Sequence, residues 1–205
     1  MTTLFGTADV AIGMNGGLSR VRLFDGPLEL SWHHCATTSD FIADIFATRF
    51  ESSRNDYKEV RHSIGYLVNE LIENAVKFRA PGRIMIEASM DSETFKVKVS
   101  NVVDGEVASG FQGLLSEIAA GDPGDLLIQR IEANAADPEN PDSGLGLLTL
   151  MSDYGARLAW IFSPTDENGR IYLETFASIP VPQTHKLNGI TPRHGNKDRR
   201  LPRMG

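Results

Sequence analysis

Internal disulfides are excluded for this chain, because its 205 residues contain one cysteine, Cys35. Structural zinc is excluded too, since no paired Cys and His spacings occur. No stretch of about 18 consecutive apolar residues is present to span a bilayer. Residues 1–17 hold neither a basic residue nor the sustained apolar run of a secretory leader. These absences lead to the expectation of a cytoplasmic protein in a reducing compartment, with no membrane association. Internal repeats are missing, and no Gly-x-Ser-x-Gly elbow marks a hydrolase. Basic residues are scarce as well: 20 Lys and Arg face 27 Asp and Glu, a net charge of -7. Six of those bases (Lys186, Arg193, Lys197, Arg199, Arg200 and Arg203) lie in residues 185–205 beside a single acid, Asp198, which leaves the body at -12. An acidic body repels phosphate backbones, so no nucleic-acid binding by the folded domain is expected.

What is present reads as one globular core, with 41% hydrophobic and 23% charged residues. We expect a flexible N-terminus over residues 1–19 and one domain over 20–179. Residues 180–205 read as a basic, solvated tail, rich in proline and poor in apolar side chains. Within the domain, Val21, Leu23, Leu28, Leu30 and Trp32 alternate around Asp25-Gly26, predicting a hairpin over residues 20–33. Thr38-Ser39-Asp40 reads as the N-cap of a helix carrying Phe41, Ile42, Ile45, Phe46 and Phe50. Ser53-Arg54-Asn55-Asp56 resembles a capping box before a long helix whose apolar positions run from Tyr57 to Phe78 and stop at Ala80-Pro81-Gly82. Strands over residues 83–90 and 94–101 form a hairpin across Asp91-Ser92-Glu93. Residues 102–143 read as a lid-like, mostly irregular insert with two short helical patterns. A short helix over 147–154 with Gly155 as its C-terminal cap follows, and strands over 157–162 and 170–177 close the fold. Short turns between strands imply an antiparallel sheet, and two long amphipathic helices cover one of its faces. The predicted class is α+β, a two-layer α/β sandwich.

Glu70, Asn74 and Lys77 are spaced i, i+4 and i+7 on the long helix, within about a 60° arc. Carboxylate, carboxamide and ammonium on one stripe can take a proton, offer a hard oxygen to Mg²⁺ and meet a phosphate. The same spacing also suits a solvated helix face with an i, i+4 hydrogen bond. Ser143-Gly144-Leu145-Gly146 opens a helix, where amides converge on an anion and glycines permit close approach; it is equally a tight helix entry. His62 lies about 80° around the helix from Glu70 and reads as a surface histidine. Tyr66 and Phe78 read as packing residues. His33, His34 and Cys35 end a strand without an acid at ligand spacing, so no metal chemistry attaches to them.

Taken together, Glu70-Leu71-Ile72-Glu73-Asn74-Ala75 with Lys77-Phe78 resembles the N box of the GHKL (Bergerat-fold) ATPase superfamily, which includes gyrase, MutL and histidine kinases. Ser143-Gly144-Leu145-Gly146-Leu147 resembles its glycine-rich phosphate box, and the motifs follow the family's order across residues 28–177. Within that superfamily the chain is most similar to bacterial anti-sigma serine kinases and related stand-alone partner-switching regulators. The resemblance implies ATP or ADP and Mg²⁺ as cofactors, Glu70 as general base and Asn74 as the metal ligand. It implies Lys77 and Ser143, Gly144 and Gly146 as phosphate contacts, with Asn101 at the nucleobase. It further implies a cytoplasmic signalling regulator that phosphorylates or sequesters a protein partner, such as a STAS-domain antagonist or sigma-like regulator, and a homodimer. The alternative is an inactive module of the same fold acting by protein contacts alone.

Two features depart from that family. Its Asp-x-Gly-x-Gly at a strand end is replaced by Asn101-Val102-Val103-Asp104-Gly105, and asparagine lacks the charge and second acceptor oxygen of aspartate. The insert carries nine acids against one base, Arg130. A carboxylate within about 6 Å of a phosphate costs on the order of 1 kcal/mol at the surface, so either these acids face away from a nucleotide or the nucleotide site is weak or vestigial.

Overall fold

The computed structural model describes residues 1–12, 19–24, 32–136, 144–165 and 169–183. Strands β1 (Thr3–Gly6), β2 (Ser19–Phe24), β3 (Arg83–Met90), β4 (Thr94–Val103), β5 (Arg157–Pro164) and β6 (Ile171–Pro180) form one sheet in the order β1-β5-β6-β4-β3-β2. Every neighbouring pair is antiparallel, as the short inter-strand turns imply. The β3–β4 turn is pinned by Asp91, whose carboxylate accepts from the amides of Glu93 and Thr94 at 2.9 and 2.8 Å. Those bonds hold the Asp91 carboxyl below its ordinary range.

Helices α2 (Trp32–Ala47) and α3 (Arg54–Lys77) cover the face on which Ile84, Ile86, Phe95, Val97, Leu158 and Phe162 point inward. The long helix α3 forms where its period puts Val60, Ile64, Leu67, Val68, Leu71 and Ile72 on one buried side. Ser53 caps it, its side chain accepting from the Asp56 amide. From α2, Ile42, Phe46 and Phe50's neighbour Ala47 enter the same core, and Phe46 meets Phe95 edge-on at 5.0 Å. Arg61 of α3 ties the helices together through Asp44 at 2.5 Å and Asp40 at 3.3 Å. This is the two-layer sandwich that the sequence predicts.

Several expectations are corrected. Residues 1–19 do not all form a free extension: β1 adds an edge strand to β5, with Thr3 opposite Phe162 and Gly6 opposite Ala159. Helix α1 (Ala8–Ile12) follows, and its Val10 is buried with Ala159 and Phe176. Ala159 alternates with Leu158 and Trp160 along β5, so α1 lies on the opposite face and the helices are not confined to one side. No hairpin spans residues 20–33: β2 pairs with β3, and Trp32 and His33 already belong to α2, while residues 25–31 lie outside the described residues. Thr38 and Ser39 consequently sit inside a helix and bond back to the carbonyls of His34 and Ala36 at 2.7 and 2.9 Å. Phe41 and Ile45 face outward, 58% and 42% exposed.

The insert is more ordered than its composition implies. β4 runs on to Val103, and α4 (Gly105–Ala120) and α5 (Pro123–Ala136) account for most of it. Residues 137–143 lie outside the described residues. Helix α6 (Leu145–Asp153) ends before Gly155, whose φ of 60° is the left-handed turn expected of a C-terminal cap. The domain also extends past residue 179, since the Val181 amide donates to Glu93 O at 2.9 Å and its side chain is buried; residues 184–205 of the tail lie outside the described residues. Among the described residues no helix is long and apolar enough to cross a membrane.

Candidate functional site

A cleft of about 470 Å³ opens between α3, α4, the start of α6 and the sheet. Glu70, Asn74 and Lys77 line its α3 wall, Gly144 and Gly146 the α6 wall, and Asn101 its floor. Six of the seven residues singled out from sequence thus converge on one cavity; the seventh, Ser143, lies outside the described residues. Spacing explains the α3 wall: Leu67, Leu71 and Ala75 are buried, and the polar stripe sits beside them at the core's edge.

The two glutamates of this stretch go different ways. Glu73 accepts from Asn69 Nδ2 at 2.7 Å, and Asn69 Oδ1 accepts from Ser39 on α2 at 3.5 Å, so Glu73 is held along the helix flank. Glu70 alone of the pair lines the cleft. Burial pushes its carboxyl above the ordinary value, and the charge of Glu73 adds to this, while a hydrogen bond with Tyr66 opposes it. The Tyr66 hydroxyl is itself raised, mainly by burial. Its ring stacks on Tyr154 at 4.9 Å, whose hydroxyl lies 3.1 Å from His62 Nε2. His62 is exposed and does not line the cleft, as its rotation from Glu70 predicts.

A carboxyl whose pKa is raised by folding contributes stability that is fully present below its unfolded value, near 4.5, and lost as pH rises through the folded value. Glu70→Gln is therefore expected to raise stability at about pH 8 and change it little below about pH 4. Urea midpoints of the two proteins at each pH check this.

The glycine turn is built for close approach. Gly144 caps α6 at φ 100°, a conformation strained for residues with a Cβ. At Gly146, within the first turn of α6, an added Cβ would overlap Glu70 Oε2 and lie 2.8 Å from its Cδ. The Glu70 carboxylate therefore rests directly against the backbone of the turn.

Lys77 is exposed at the rim, its Nζ 4.9 Å from the centre of the Phe78 ring. Phe78, expected to pack in the core, is instead 38% exposed and forms part of the cleft wall. Asn101 is 3% exposed and donates a long 3.5 Å bond to Val102 O.

The roof is α4, which turns Val107, Ala108, Phe111 and Leu114 inward. Asp104, Glu106, Glu117, Asp122, Asp125 and Glu132 of the insert are all exposed, and none lines the cleft. The described acids therefore point away from the cleft; Glu117 pairs with Arg130 at 2.8 Å.

Sequence reading missed the far wall, made of Trp160, Leu173 and Thr175. Alternation in β5 and β6 marks these residues as inward-facing, but only the β4–β6 and β5–β6 registers bring them to Asn101. Trp160 Nε1 is buried with no hydrogen-bond partner among the described residues, a desolvated donor that does not open into the cleft.

Among the described residues no three His, Cys, Asp or Glu side chains gather to hold a metal ion. The donor set fits Mg²⁺ that arrives with phosphates, since this ion keeps waters and phosphate oxygens and takes few protein ligands; Asn74 offers the hard oxygen. The glycine turn, with its room for close approach, fits the phosphate end of a nucleotide. Neither a family model nor a curated protein matches this chain.

Proposed function

We propose that the cleft binds a magnesium-chelated adenine nucleotide, ATP or ADP, and that the protein is a GHKL-type cytoplasmic regulator that phosphorylates or sequesters a protein partner. The observation carrying this reading is the convergence of Glu70, Asn74, Lys77, Gly144 and Gly146 on a cavity that Phe111, Leu114, Trp160 and Leu173 also line. In this reading the Gly144 and Gly146 backbone cradles phosphate oxygens and Lys77 neutralises charge at the rim. Asn74 holds the ion, which when bound offsets the charge of the phosphates. Glu70, kept above its ordinary pKa, takes the proton of an incoming seryl hydroxyl. The apolar face of α4 excludes water from the transfer. Positioning and charge neutralisation are what a loose phosphoryl transition state requires.

Calorimetric titration with Mg-ATP tests the reading: saturable binding is expected, lost in Asn74→Ala and on chelation of the metal, whereas no heat at millimolar nucleotide overturns it. The rival reading is a module of this fold without catalysis, favoured by the close contact between the Glu70 carboxylate and the glycine turn. Glu70→Gln separates the two. It abolishes partner phosphorylation with binding intact in the kinase reading, and leaves partner regulation untouched in the rival.

A further inference from the structure

The entry of α6 invites negative charge. Its first backbone bond runs from the Leu148 amide to Gly144 O at 3.1 Å, so the amides of Leu145, Gly146 and Leu147 have no partner within the helix. Gly144, as the capping residue, brings no side chain to meet them. The helix dipole is positive at this end and adds to the attraction. A phosphate suits that place, but the chain already holds an anion there.

That anion is Glu70. It reaches across from α3, and its Oε2 lies so near Gly146 that a Cβ added there would overlap it. No Lys or Arg pairs with Glu70 among the described residues. Lys77, the only cation lining the cleft among them, stands exposed at the rim two turns further along α3, with its Nζ over the Phe78 ring. The sequence leading into the turn, residues 137–143, adds Asp137, Glu139 and Asp142 and no base. A carboxylate and a phosphate brought to the same helix entry therefore repel each other with little protein charge between them to offset it. What rests against Gly146 is the far end of the glutamate side chain and not backbone, so this obstacle can turn aside.

We propose that the Glu70 carboxylate is a built-in competitor for the phosphate seat at the entry of α6, and that a nucleotide binds only as this side chain swings off the glycine turn. The proposal rests on the nucleotide reading of the cleft and deepens it: the group that takes the proton also limits the affinity.

The test is calorimetric titration of the full chain, and of its Glu70→Gln and Glu70→Ala variants, with Mg-ATP. Glutamine keeps the shape and removes the charge; it is expected to lower the dissociation constant by about fivefold, which is what the repulsion of two unit charges about 6 Å apart amounts to near a surface. Alanine clears the space as well and is expected to lower it at least as far. A glutamate that instead helped to hold the nucleotide would give weaker binding in both variants. Unchanged or weaker binding by Glu70→Gln overturns the proposal and leaves the nucleotide reading in place, because binding is still observed. The glutamine result decides the matter if the alanine variant does not fold. Failure of the parent and both variants to bind Mg-ATP in folded samples overturns the two together.

Discussion

Gly146→Ala is expected to weaken Mg-ATP binding by about tenfold or more while leaving the stability of the fold nearly unchanged. The added Cβ overlaps the Glu70 carboxylate, and what gives way is the end of a flexible side chain rather than backbone. Gly146 lies within α6, where alanine gains about 1 kcal/mol of helix propensity over glycine, so chain folding does not suffer. The displaced carboxylate and the new methyl group instead occupy the space between α3 and the turn, which phosphates need. Paired measurements of urea midpoint and calorimetric affinity check this. A matching loss of both quantities would mean that Gly146 serves the fold and not the site.

Phe95→Ala is expected to destabilise the chain by about 3–5 kcal/mol, the usual cost of truncating a buried aromatic side chain. Phe95 is fully buried at the start of β4 and meets Phe46 of α2 edge-on at 5.0 Å. It thus clamps the end of the central hairpin to the helical layer. Equilibrium denaturation measures the loss, and a change below about 1 kcal/mol would show that the helices and sheet do not share this core.

The helical half of the site was legible because periodicity writes it directly. Leu67, Leu71 and Ala75 mark the buried side of α3, and Glu70, Asn74 and Lys77 follow beside it. Gly144 and Gly146 were legible for a similar local reason, two glycines at a helix entry where the backbone comes close to its neighbours. Strand partners are set by contacts distant in sequence, and here local reading failed. Alternation across residues 20–33 imitates a hairpin, yet β2 finds β3, with Ser19 opposite Ala88 and Phe24 opposite Arg83, and Trp32 begins a helix. Thr3 to Gly6 carries little apolar patterning of its own and becomes a strand because β5 offers a free edge. The same long-range registers carry Trp160 and Thr175 to the floor beside Asn101, which no local pattern announces. Likewise, acids scattered through residues 104–132 obscured the apolar side of α4 that roofs the cleft.

Amide chemical-shift mapping with Mg-ATP tests the central claim most directly, because it reports where the nucleotide sits as well as whether it binds. The account predicts saturable shifts concentrated at the backbone amides of Gly144, Leu145 and Gly146 and at the side-chain amides of Asn74 and Asn101. Shifts confined to other surfaces, or none at millimolar nucleotide, would contradict it.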